Sequence, residues 1–165
     1  MIPLRVHHRF QTLSQHYRDL RVYALVDGLQ YQRHTGARLE PQDDAALALF
    51  ADTEDAPLAH AGPWLMDPLR AGAYAEPLVE LESHDGVLWL IAGLDLTTQA
   101  AQLRRLLNVQ APDGATVLLR FWDPRVIGSL YLGLDRATRH AYFGDALEWH
   151  FIYRGKRLAI NVHDL

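Results

Sequence analysis

The sequence predicts a single α/β domain in which a mixed sheet is flanked by helices and finished by a C-terminal β-hairpin. Three observations carry that reading. Short apolar runs of strand length, at 22–26 and 87–92, alternate along the chain with stretches whose apolar residues recur every three or four positions, the pattern of helices packed on a sheet. The tail differs, because 149–153 and 158–162 read as two strands around Arg154-Gly155-Lys156-Arg157. Finally, 165 residues that are 49% hydrophobic suffice for one buried core, with no repeat, low-complexity tract or linker that would split residues 1–165 into two units.

Taken in order, Phe10, Leu13, Tyr17 and Leu20 fall at helical intervals and predict an amphipathic helix over about 8–20. The run 22–26 reads as the first strand, ended by Asp27-Gly28. Residues 33–42 are polar and loop-like, and Asp43 or Asp44 is placed to cap a short helix through Phe50. Between 52 and 77 the one well-shaped element is a short strand over 61–66, approached by a constrained Gly62-Pro63 turn. The run 87–92 lacks alternation, as a strand covered on both faces does, and is expected at the centre of the sheet. Residues 97–107 predict a helix with Arg104-Arg105 in its last turn, where the helix dipole favours cations.

A strand over 115–122 then stops at Asp123-Pro124. Asp123 is suited to cap the next helix, and Pro124, with its fixed φ and missing N–H, fits the first helical position. Val126, Ile127, Leu130, Tyr131 and Leu134 continue at helical spacing. A short helix beyond Asp135 ends near Phe143-Gly144, before the hairpin.

Composition narrows the function. Zero cysteines exclude disulfides, thiolate metal sites and thiol nucleophiles. No apolar run has the length of a membrane span and the first residues lack a secretory h-region, so a cytoplasmic protein without membrane insertion is expected. The net charge of −4 is unevenly spread: residues 40–96 hold 12 acidic side chains and 1 basic, against 6 basic and 2 acidic before them. That acidic belt argues against nucleic acid as a ligand.

Little in the sequence points to catalysis. The nine histidines lack ligand spacing, so neither a metal nor a cofactor is expected, and Ser14, Ser83 and Ser129 have no nucleophile context. Asp27, Asp67 and Asp123 each follow an apolar stretch and would form a carboxylate cluster if they met at one end of the sheet, the basis of an alternative reading as a small hydrolase or transferase. Turn and cap chemistry explains them better, since Gly28, Pro68 and Pro124 follow immediately. Arg120 and Arg125 flank the Asp123 corner, either to pair with it or to make an anion site at the helix N-terminus. Trp64 beside its Gly-Pro turn is a candidate anchor for a protein partner. A small-molecule-binding domain is a third possibility.

Three blocks, in order along the chain, carry a family resemblance. They are Val22-Tyr23-Ala24-Leu25-Val26-Asp27-Gly28, then Pro57-Leu58 with Ala61-Gly62-Pro63-Trp64-Leu65, then Leu118-Leu119-Arg120-Phe121-Trp122-Asp123-Pro124-Arg125-Val126. Together they resemble the type VI secretion effector adaptors over about residues 21–145. The resemblance implies a non-catalytic cytoplasmic protein that binds a cognate toxic effector and helps load it onto the spike protein of the secretion apparatus. It carries no catalytic role onto Asp27, Gly62 or Asp123. Such a protein needs a partly apolar groove or sheet edge bounded by charge. The terminal hairpin is one candidate, with Trp149, Phe151 and Tyr153 supplying area, and the N-terminal helix is the other.

Overall fold

The computed structural model describes residues 1–162, which leaves His163 outside. In chain order the elements are α1 (Leu4–Leu13), β1 (Arg21–Asp27), α2 (Gly28–Thr35), β2 (Ala46–Ala48), β3 (Pro63–Met66), α3 (Leu78–Glu82) and β4 (Val87–Ala92). There follow α4 (Leu96–Arg104), β5 (Asn108–Gln110), β6 (Thr116–Leu118), α5 (Pro124–Gly133), α6 (Arg136–Phe143), β7 (Glu148–Tyr153) and β8 (Lys156–Asn161). Two 3-10 turns, Ala56–Ala61 and Gly72–Ala75, flank β3.

Six strands make one sheet in the order β2-β3-β1-β4-β7-β8, and β5-β6 form a separate ribbon. The α/β architecture with its terminal hairpin is the expected one. Where interleaved helices suggest a mixed sheet, each pairing in it is antiparallel. The centre belongs to β1 and β4, and β4 is buried along its whole length, as its unbroken apolar run requires.

Each face of the sheet builds its own core. Tyr23, Leu25, Leu88, Leu90, Trp149 and Phe151 pack against residues of α4, α5 and α6, including Leu103, Ile127 and Phe143. The opposite face, with Val22, Ala24, Val26, Trp89 and Ile91, packs against Val6 and Leu13 of α1, Tyr31 of α2 and Leu78 and Leu81 of α3. Each such fully buried aliphatic side chain contributes about 1.5–3 kcal/mol, so the two cores dominate stability.

Five local expectations are corrected. The N-terminal helix runs over Leu4–Leu13, where the Ser14 hydroxyl takes up the Phe10 carbonyl, rather than over about 8–20. Tyr17 and Leu20 still pack on the core, but from a turned segment in which Asp19 has φ 59°. The polar stretch 33–42 starts inside the last turn of α2, a helix capped by Asp27 and closed by Gly36 at φ 76°. The sequence predicts a short helix from Asp43 or Asp44 through Phe50. Instead Asp44, at φ 57°, turns the chain and Ala46–Ala48 pair with β3, so ladder formation overrides the helical preference of alanine.

The fourth correction concerns 115–122, of which only Thr116–Leu118 is strand, exposed and paired with β5 outside the main sheet. Phe121 and Trp122 belong to a tight turn instead, and both are buried in the core. The hairpin turn is also tighter than its sequence suggests. Arg154 and Gly155, at φ 50° and 73°, form a two-residue turn of the kind that matches strand twist, so β8 starts at Lys156.

Candidate functional site

The three blocks meet at one corner of the sheet. Asp27 ends β1 with its side chain 5% exposed. Its Oδ1 accepts the Gln30 amide at 2.9 Å and caps α2. Its Oδ2 accepts the indole N–H of Trp122 at 3.2 Å and the Arg120 guanidinium at 3.4 Å. The third block is thereby tied to the first.

The second block lies on the other side of Asp27, since Pro63 pairs with it across the β1–β3 ladder. The Gly28 amide donates to the Gly62 carbonyl at 2.9 Å. A Cβ on Gly28 would stand 2.4 Å from the His60 carbonyl oxygen, and one on Gly62 would enter the Phe50 ring at 2.3 Å. Phe50 in turn packs edge-on against Trp122, with centroids 5.7 Å apart. The two glycines therefore permit a close approach that links the first two blocks, and Phe50 carries the contact to the third.

Asp123 is the counterpart of Asp27. Its Oδ1 accepts the Arg125 amide at 2.9 Å, capping α5, while the Arg125 side chain clasps both carboxylate oxygens at 2.9 and 2.7 Å. Pro124 occupies the first turn as expected. Arg120 lies 3.7 Å from Asp123 and so bridges the two acids, with its guanidinium 5.8 Å from the Trp122 ring centre. Burial works against the charge on Asp123, yet the Arg125 hydrogen bonds and the Arg125 and Arg120 charges outweigh it and hold the carboxyl below the ordinary range. The same clasp pushes the Arg125 guanidinium up. The anion at this helix N-terminus is the protein's own carboxylate.

The corner assembles Asp27, Gly28, Gly62, Pro63, Arg120, Trp122, Asp123 and Arg125 and leaves other candidates elsewhere. Asp67 follows β3, which runs opposite to β1, so it sits at the far end of the sheet beside Arg70. The three-acid cluster does not form. Trp64 is 2% exposed and is core, not an exposed anchor. Phe121 is core as well, packed edge-on against both Trp122 and Trp149.

The hairpin aromatics are corrected in the same way. Trp149 and Phe151 are each 1% exposed, and the Trp149 indole donates to the Phe143 carbonyl at 3.0 Å. Tyr153 is half-buried against Gly128 of α5. Alternation places 149, 151 and 153 on the face that α5 and α6 cover, so the Trp149 and Phe151 rings hold the hairpin to the domain and offer no area to a partner, while Tyr153 keeps part of its ring exposed.

The opposite face of β7 carries a charged cluster that sequence reading missed. Glu148 accepts from His150 at 2.9 Å, from Arg9 of α1 at 2.7 Å and from Asn161 at 3.2 Å, while Arg157 clasps Glu82 of α3 at 2.6 and 2.5 Å. Burial opposes the Glu148 charge, but the His150 and Arg9 contacts prevail and its carboxyl is held low. Only Glu148 and His150 at alternate positions hinted at it, because Arg9 lies 139 residues away. Elsewhere the His34 and His84 rings stand 5.5 Å apart. Among the described residues no three His, Cys, Asp or Glu gather at metal-binding distance, and no helix is long and apolar enough to cross a membrane.

Comparison with known proteins finds one family model, described as "Domain of unknown function (DUF4123)", that matches residues 22–141. That span takes in all three blocks and ends before β7. No curated protein and no solved structure matches the chain.

Proposed function

The chain belongs to the DUF4123 family, and from that premise we propose that it is a non-catalytic adaptor, which binds a cognate type VI secretion effector in the cytoplasm and helps load it onto the spike protein. One observation carries the reading. The three blocks that resemble the effector adaptors lie inside the matched span and converge on Asp27, where they lock strand, loop and helix into one frame. Residues so placed secure a scaffold that presents surfaces. A hydrolase or transferase at this corner would need a carboxylate available to attack or to take a proton, whereas both acids here are engaged by caps, an indole and guanidinium groups. Work by contact, without turnover, fits that arrangement.

The test is the secretion profile of a deletion strain. The adaptor reading expects delivery of one toxin to be lost, with the others delivered as before, and restored by the gene in trans. A general component of the apparatus would stop all delivery. A strain that still delivers every toxin would overturn the proposal.

A further inference from the structure

The sheet ends at β8, and among the described residues no strand pairs with its outer edge. The two-residue turn makes Tyr153–Lys156 the closing pair of the hairpin, and the bond from the Val162 amide to the Leu147 carbonyl at 3.0 Å keeps the same phase at its other end. Even-numbered residues of β8 therefore bond to β7. The N–H and C=O groups of Arg157 and Ala159 point outward.

Space for a further strand exists on both sides of this edge. On the α5 side a crevice of about 170 Å³ is lined by Gly128, Tyr131 and Leu132 together with Leu158 and Ile160, and Leu132 is 72% exposed. On the α1 side a groove of about 370 Å³ is lined by Arg5, Arg9, Glu148, His150, Arg157 and Asn161. Leu158 and Ala159 border both cavities, so the two flank the middle of β8. In the second groove the acids are inside and the cations outside: the Arg9 side chain is 40% exposed against 3% for Glu148, and Arg157 is 18% exposed against 2% for Glu82. Arg5 on α1 is exposed.

We propose that β8 is a strand-addition site for an extended segment of a protein partner, one in which apolar and acidic side chains alternate. Period-two geometry sends alternate side chains of an added strand to opposite faces, apolar ones into the α5 crevice and carboxylates toward the arginines. Such charges discourage indiscriminate pairing and are matched by an acidic strand. A second copy fits worse, because antiparallel continuation of the sheet by β8 itself would set one arginine groove beside the other. The inference rests on the adaptor reading only for the source of the strand.

The probe is a capped peptide of alternating leucine and glutamate, about eight residues long, the reach of a β8-length strand. The full chain should bind it saturably and gain hydrogen-exchange protection at the Arg157 and Ala159 amides. The same peptide methylated on alternate amides, or carrying lysine for glutamate, should not bind. Ala159→Pro removes an outward donor without touching the β7 ladder and should weaken binding about tenfold or more. Leu132→Glu and Arg5→Glu, both at exposed positions, should weaken it with the fold intact, and serve if Ala159→Pro does not fold. Absence of peptide binding, binding indifferent to these variants, or a dimer of the chain closed through β8 would each overturn the proposal. Pull-downs separate the two claims: if Ala159→Pro retains the effector and spike that the parent chain retains, strand addition is wrong and the adaptor reading stands. If the parent chain retains neither while the peptide still binds, the adaptor reading falls and the site stands.

Discussion

The Trp122 indole donates to the Asp27 carboxylate at 3.2 Å across 95 positions of sequence. One buried oxygen thus joins the last turn before α5 to the end of β1, and the same carboxylate caps α2 through its other oxygen. Asp27→Ala removes the cap and strands a buried indole N–H, a combined loss of about 3 kcal/mol. Asp27→Asn, which keeps an acceptor, should cost less. Urea denaturation of the two variants measures the difference.

Glycine tolerance should follow space. Alanine at Gly28 would meet backbone oxygen at 2.4 Å, which cannot yield, and alanine at Gly62 would displace Phe50. Each should cost on the order of 2–3 kcal/mol or abolish folding. Gly93→Ala and Gly133→Ala, with nothing within 4 Å, should melt close to the parent chain.

Removing Arg157 would leave Glu82 as an unpaired buried charge. Arg157→Ala is therefore expected to lower stability by about 3 kcal/mol. Arg9→Ala should cost less, because Glu148 keeps His150 and Asn161. Chemical melts of the pair decide whether the α3 clasp or the α1 clasp matters more.

Acid should loosen the fold through Asp123 and Glu148. Both carboxyls are held below their ordinary range, so the folded state binds their protons more weakly than the unfolded chain does. Their contribution is complete above the unfolded values, near pH 4, and is lost as pH falls through the depressed folded ones. Asp123→Asn should flatten the acid limb of a stability-against-pH curve. An unchanged limb would contradict the reading of the Arg125 clasp.

Much of this fold is legible where its signals are local. Asp123-Pro124 predicts the start of α5, the unalternating run 87–92 predicts a central strand, and the tail predicts a hairpin. Elements set by tertiary partners are not legible. Only Tyr31 and Gly28 of α2 are buried, so that helix shows no apolar periodicity, and β2 exists because β3 lies beside it. The corner is half legible: each Asp reads as a turn or cap, but nothing local says that Arg120 and Trp122 reach Asp27. Trp149 and Phe151 look like binding area until α5 and α6 close over them.

Co-expression with a candidate toxic effector from the same genome tests the proposed adaptor role most directly. The adaptor account predicts a stoichiometric complex on gel filtration, a raised soluble yield of the toxin, and retention in high salt, because apolar contact is screened less than a purely ionic one. A toxin that stays insoluble and elutes apart from the chain, with no spike protein recovered from the native host, would contradict it.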